Sequence, residues 1–238
     1  MKKLAAALAV AAMMTATMNA CAAGLESGAA AAPPAGVPTA TAPGGYSATT
    51  LRLTGPGYEL DVPQVSGGTE IARNAFNAAM RGRAQQWIDQ VEQTFTLKPG
   101  AGQVTYLGSR AISSLFVIST YSEGAAHPNN AYESYVVDAR TGNEITLRDL
   151  FTDLNCGLNL LADQAAIEVP KSRAGDSYSK SGIEAVEYNY RLWLATPGGM
   201  EIHFGEIASH AAGDIVITVP WSKLDSALKP GIRDIVSG

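Results

Sequence analysis

Histidine and cysteine are scarce in this 238-residue chain, with three copies of the first and two of the second. Two cysteines cannot form the framework of bridges that staples small secreted folds. His127, His203 and His210 are the whole supply of imidazole for a serine or cysteine mechanism. Basic residues are outnumbered, 17 Lys and Arg against 22 Asp and Glu. No basic stripe runs along the chain, which excludes the electrostatic footprint of a nucleic-acid-binding domain or of one drawn to anionic head groups. Phosphate-loop and dinucleotide glycine patterns are missing, as are the G-x-S-x-G elbow, H-E-x-x-H and any cysteine-based metal spacing. The apolar run from Leu4 to Met14 is too short to span a bilayer, and Thr15, Thr17 and Asn19 weaken its continuation to Ala20.

What is present begins with an address. Lys2 and Lys3, the apolar run and the small residues after it have the layout of an export signal, so residues 1–20 are read as a removed signal peptide. In "MNAC", Cys21 follows a small residue, the arrangement of a bacterial lipoprotein signal whose cysteine is acylated. "ACA", ending at Ala22, offers an ordinary cleavage site instead, which would release a soluble secreted protein. Ala22 to Gly45 has no aromatic residue and one charge, so residues 21–45 are expected to form a disordered, lipid-anchored tether. Removing Lys2 and Lys3 with the signal leaves 15 basic residues against 22 acidic, a net charge of −7. With Cys21 acylated, Cys156 is a lone thiol, expected to be buried.

Residues 46–238 are the length of a single domain. Tyr58 to Val65 alternates as a strand, with Pro63 marking an edge or bulge. Ala72, Phe76, Met80, Ala84, Trp87, Val91 and Phe95 recur at steps of three and four and predict one long core helix, ended by "KPGAG". Three β-rich runs follow, Gln103 to Ala111, Ser114 to Tyr121 and Tyr132 to Ala139, the last two a hairpin around "SEGAAHPNN". Thr146 and Asp149 have capping-box spacing for a short helix. Leu158, Leu161, Ala162, Ala165 and Val169 predict a second helix, stopped by Pro170, and the polar stretch from Lys171 to Gly182 reads as a mobile loop. Three closing strands carry Tyr188, Tyr190, Leu192 and Leu194; Met200, Ile202 and Phe204; and Ile215, Ile217 and Val219. Helices and strands out of strict alternation predict an α+β domain with a mostly antiparallel or mixed sheet.

"TGNEITLRDLF" (Thr141 to Phe151) and "GGMEIHFGEIASHAAGDIVITVPWSKL" (Gly198 to Leu224) resemble a known family. It is the extracytoplasmic domain at the C-terminus of RsiV-type anti-sigma factors, found also in the non-catalytic part of some polysaccharide deacetylases and in secreted immunogenic mycobacterial antigens. Many of its members are domains of unknown function. The resemblance covers Tyr58 to Lys223 and implies a β-grasp-like α/β sandwich with one long core helix and a second shorter one. RsiV-type members recognise lysozyme, and some mycobacterial relatives are described as esterases. This chain departs from the pattern at Gly205, Glu206 and His210, where relatives commonly carry tyrosines. It also lacks a cytoplasmic sigma-binding segment and an internal transmembrane helix, so an anti-sigma role is not expected.

Residue by residue, the candidate chemistry is thin. "GDSYS" (Gly175 to Ser179) looks like the nucleophile block of GDS-type esterases, but it lies mid-chain, and no histidine has an aspartate three residues before it. His203 shares a strand face with Glu201 and is expected to point at solvent or a second layer, while His210 sits in a corner that Gly205 and Gly213 allow the backbone to turn. Glu201, His203, Glu206 and His210 match no metal-ligand spacing. Tyr188 and Tyr190 are expected on one face of a strand and Trp193 on the other, one set core and the other a candidate patch for a peptide or glycan. These observations point to an exported cell-envelope protein, lipid-anchored through Cys21, whose domain binds a protein or glycan partner without catalytic residues, metal or cofactor. The alternative is a weak serine esterase or lipase that uses His203 or His210.

Overall fold

Pro56 and Gly57 turn the chain between two strands, with Gly57 supplying the positive φ of +76° that such a turn needs. β1 (Tyr46–Gly55) thus pairs antiparallel with β2 (Tyr58–Gly67) in unbroken register, Tyr46 opposite Gly67. In the computed structural model the described residues are 42–91, 95–98, 100 and 102–238. The signal peptide, Cys21 and nearly all of the tether fall outside them.

α1 (Glu70–Ile88) buries Ala72, Phe76, Met80 and Ala84, the first four residues of the predicted stripe. The helix stops short of that stripe's end. The chain turns at Asp89 and Gln90, Val91 is helical again, and Phe95, just before β3 (Thr96–Lys98), packs on the Trp87 ring at 6.1 Å between centroids.

β4 (Gln103–Leu107), β5 (Ala111–Tyr121) and β6 (Asn129–Asp138) complete a six-stranded sheet with the order β1-β2-β3-β5-β4 and β6 on the remaining side of β5. β2 and β3 form a parallel pair, and the other described pairings are antiparallel. α2 (Leu147–Leu150), with the expected capping box from Thr146 and Asp149, and α3 (Leu154–Glu168) lead to a second antiparallel sheet of β7 (Trp193–Ala195), β8 (Gly199–His203) and β9 (Val216–Pro220). α4 (Ile232–Val236) ends the chain.

Alternation along β5 and β6 explains how the layers stack. Ile112, Phe116, Ile118, Tyr135 and Val137 join Phe76 and Met80 of α1 in one core. Ala111 and Val136 point the other way and join Trp193, Ile202, Ile217, Leu158 and Leu161 in a second. Buried Ser113 stitches the sheets, its hydroxyl donating to the Ala195 carbonyl at 3.1 Å and accepting from the Ala195 N–H at 3.0 Å. The result is the expected α+β sandwich. Both cores draw on residues between Tyr46 and Val236, so this segment holds its own hydrophobic interior, the property of a part able to fold alone.

Three expectations are corrected. Glu187–Tyr190 is a short 3₁₀ turn rather than a strand, and its three-residue period leaves Tyr188 66% exposed while Tyr190 is buried and donates to the Ile183 carbonyl at 2.6 Å. The polar loop from Lys171 is fastened, with Tyr178 bridging to Ala208 and the Ser179 N–H donating to the Ile207 carbonyl at 2.7 Å. Cys156 is exposed, because it lies two residues before Leu158 and so on the far side of α3 from the buried stripe.

Candidate functional site

β8 carries Glu201 and His203 on one face, with Met200 and Ile202 in the core on the other. His203 nevertheless stays out of solvent, at 7% exposure, because the β8–β9 loop folds back over it. Gly205 and Gly213, at φ values of +65° and +67°, make that reversal possible and return Asp214 to the ring. Nδ1 of His203 donates to Asp214 Oδ2 at 2.6 Å, and Nε2 donates to Glu201 Oε1 at 3.0 Å. The other Asp214 oxygen accepts the Gly205 N–H at 2.9 Å. Burial alone would lower the pKa of His203, but the hydrogen bonds to Asp214 and Glu201, and then the charges of those carboxylates, raise it from 6.5 to about 9. The ring is an imidazolium with both N–H groups engaged. It has no lone pair for a base or a metal and acts as a charged strut that holds the loop.

His210 belongs to a second, exposed cluster. Its Nδ1 donates to Glu206 Oε1 at 2.7 Å, and its ring stacks on His127 with 4.7 Å between centroids, which brings the β5–β6 and β8–β9 loops together. His127 Nδ1 donates to the Pro128 carbonyl at 3.0 Å. Glu201, His203, Glu206 and His210 are thus divided between two clusters, and among the described residues no group of three or more His, Cys, Asp and Glu side chains is placed to hold a metal ion. Ser177 is exposed in the segment that fastens the polar loop, and the three histidines direct their Nδ1 atoms to Asp214, Glu206 and a carbonyl.

Beside these clusters a cleft of about 410 Å³ opens at the rim of the first sheet, lined among others by Trp87, Tyr132, Glu133, Arg191, Phe204 and Glu206. Trp87 Nε1 donates to Glu133 Oε1 at 2.6 Å, and Arg83 bridges Glu133 and Glu144 at 3.5 and 3.1 Å. The Arg191 guanidinium lies 3.7 Å from the Tyr188 ring centroid and donates to the Tyr188 carbonyl at 2.7 Å. The Tyr132 hydroxyl is held above its ordinary pKa by burial first, and then by the charges of Asp214 and Glu206. A hydrogen bond from the Asn130 side chain acts in the opposite direction.

The chain matches no protein-family model and no curated protein. Its structural neighbours are DUF3298 proteins. A member of that family from Bacteroides fragilis, at 12% identity and a TM-score of 0.53, aligns over 82% of this chain and 98% of its own. A DUF3298 family protein from Pseudomonas aeruginosa aligns at 10% identity and a TM-score of 0.49, over 80% of this chain and 96% of its own. At such identity the first likeness speaks for the fold, and the site has to be argued from its own residues.

Sequence reasoning found His203, Glu201, Glu206 and His210 but missed Asp214, Tyr132, Glu133 and Arg191. Asp214 carried a readable signal, an acid placed directly after a turn glycine. The other three carried none, since each looks like an ordinary residue of a strand or loop.

Proposed function

We propose that this chain is an exported cell-envelope protein, acylated at Cys21, whose tether over residues 21–45 carries residues 46–238 as a non-catalytic domain that binds a protein or glycan partner. The observation that carries this reading is the cleft of about 410 Å³, with aromatic and charged walls, standing beside a histidine whose two nitrogens are committed to carboxylates. A hydrolase needs a nucleophile and a base with a free lone pair. His203, the buried histidine, has none, because both of its nitrogens are held by carboxylates. The resemblance to RsiV-type domains supports the same reading, because those domains recognise a partner.

Two measurements test it. In cells, the parent should fractionate with the membrane and Cys21→Ser with the soluble exported fraction. In vitro, soluble cell-wall glycan fragments and defined peptides should bind the chain from residue 39 onward, and Tyr132→Ala with Arg191→Ala should weaken binding at least about tenfold. Aryl-ester turnover by the parent that is lost when His127, His203 and His210 are all changed to Ala in a folded variant would sink the non-catalytic reading.

A further inference from the structure

The walls of the cleft come from both sides of the first sheet. Trp87 and Glu133 lie on the α1 side, and Leu192, Phe204 and Glu206 come from the second sheet and its loop. A cavity with walls on both faces of a sheet opens on the sheet's edge, and the strand at that edge is β6.

The direction of its backbone groups follows from the neighbouring bonds. The Ala139 N–H donates to the Arg110 carbonyl at 2.8 Å, which makes the odd-numbered residues of β6 the ones bonded to β5. The even-numbered residues face outward. At the far end that outward edge is covered: the Asp138 N–H donates to the Asn143 carbonyl at 2.9 Å and the Val136 carbonyl accepts from the Ile145 N–H at 2.8 Å. At Asn130 and Tyr132, which line the cleft, no described strand or turn takes the outward N–H and C=O. β1 is an edge strand too, but the cleft lies along β6.

We propose that the edge of β6 at Asn130 and Tyr132 receives an extended segment of a partner protein bearing basic side chains, which adds a strand to the first sheet. This deepens the binding reading above and rests on it. Outward groups two residues apart repeat at roughly 6.8 Å, the repeat that an extended polypeptide presents. An unpaired edge is a template for such a strand. Side chains of the incoming strand alternate into the two walls, where Glu133 and Glu206 supply carboxylates. Trp87 and Arg83 also hold Glu133, and His210 holds Glu206, but two carboxylates against one guanidinium, that of Arg191, leave the lining with an excess of negative charge.

The test uses the chain from residue 39 onward and a fluorescein-labelled ten-residue peptide of alternating Thr and Lys, beside the same peptide with Glu for Lys, read by anisotropy. The Lys peptide should bind at least about tenfold more tightly. Asn130→Pro deletes one outward N–H and leaves the ladder to β5 intact, a position where an edge strand tolerates proline. It should weaken the Lys peptide about tenfold, while Asn130→Ala stays within about twofold. Equal binding by the two variants, or by the two peptides, overturns the proposal. If Asn130→Pro does not fold, amide exchange in the parent decides: protection of Asn130 and Tyr132 on adding the Lys peptide supports the inference, and unchanged exchange overturns it. Glycan fragments that bind, lose affinity with Arg191→Ala and ignore Asn130→Pro would overturn the strand and leave the binding domain standing. Silence from glycan and peptide alike would remove both. A parent that dimerises in sedimentation, and dissociates with Asn130→Pro, would make the occupant a second copy of this chain.

Discussion

Changing His203 to Gln should cost stability in a manner that depends on pH, and the size of the effect follows from its two carboxylate partners. His203 titrates near 6.5 in the unfolded chain and at about 9 in the folded one. Below pH 6.5 both states hold the proton, and the favourable contact with Asp214 and Glu201 contributes in full. Between 6.5 and about 9 the folded state holds a proton that the unfolded state has released, so stability falls as pH rises, by up to about 1.4 kcal/mol per pH unit. Above that interval neither state is protonated and the contribution is gone. The whole interval is worth on the order of 3 kcal/mol, a large share of the roughly 5–15 kcal/mol that holds a typical domain.

Glutamine is a polar side chain of similar length that does not titrate. Urea unfolding of parent and His203→Gln at pH 6, 7.5, 9 and 10 isolates the ring, because tyrosines and lysines that titrate at the alkaline end do so in both chains and cancel in the difference. The parent should exceed the variant by about 3 kcal/mol at pH 6, and the gap should close to within roughly 0.5 kcal/mol by pH 10. A gap that stays flat across this range, or widens with pH, would refute the claim that His203 is a buried imidazolium.

The other expectations concern packing and exposure. Tyr46→Phe keeps a fully buried ring but deletes the hydroxyl that donates to the Ala139 carbonyl at 2.6 Å and accepts the Thr69 N–H at 3.1 Å. It should lower stability by about 1–2 kcal/mol, seen as a shifted urea midpoint at constant slope. Gly157→Ala would gain helix propensity of about 1 kcal/mol in α3. Its Cβ, however, would stand 2.3 Å from the buried Phe151 ring, and overpacking of about 1–3 kcal/mol should win and lower the melting temperature. A more stable Ala variant would contradict that packing. Cys156 is exposed, so the chain from residue 39 onward should react with one equivalent of a thiol reagent before any denaturant is added. Reaction only after unfolding would contradict its placement.

Most of the fold was legible because burial follows period. The stripe of α1, the β5–β6 hairpin and the inward faces of β8 and β9 all stand where alternation or helical spacing put them. β1 was not legible, since its first half, "SATT", is polar and solvent-facing and offers no apolar alternation, although "GPG" marked the turn after it. Tyr188 and Tyr190 misled because a period of two was read into a segment that turns with a period of three. His203 misled differently: its place on a strand beside Glu201 was right, but its burial was decided by Asp214, 11 residues away on the returning limb of a loop.

That last contrast bears on where function lies. In sequence, a histidine beside acids looks like chemistry, while Asn130 and Tyr132 look like ordinary strand residues. In the structure the first is occupied on both sides by carboxylates, and the second pair faces a cleft with backbone groups that no described element takes up. Hydrophobic alternation reports which face of a strand is buried, but it says nothing of whether the strand has a neighbour on each side. Coverage of the β6 edge depends on how far the turn at Asn143 and Ile145 reaches, and it stops at Val136. A site made of main-chain groups thus has no residue signature. The histidines serve it indirectly: His203 fixes the loop that supplies Phe204 and Glu206, and the His127–His210 stack ties the loop before β6 to the same wall. Loosening either contact should therefore widen the cleft without touching its edge.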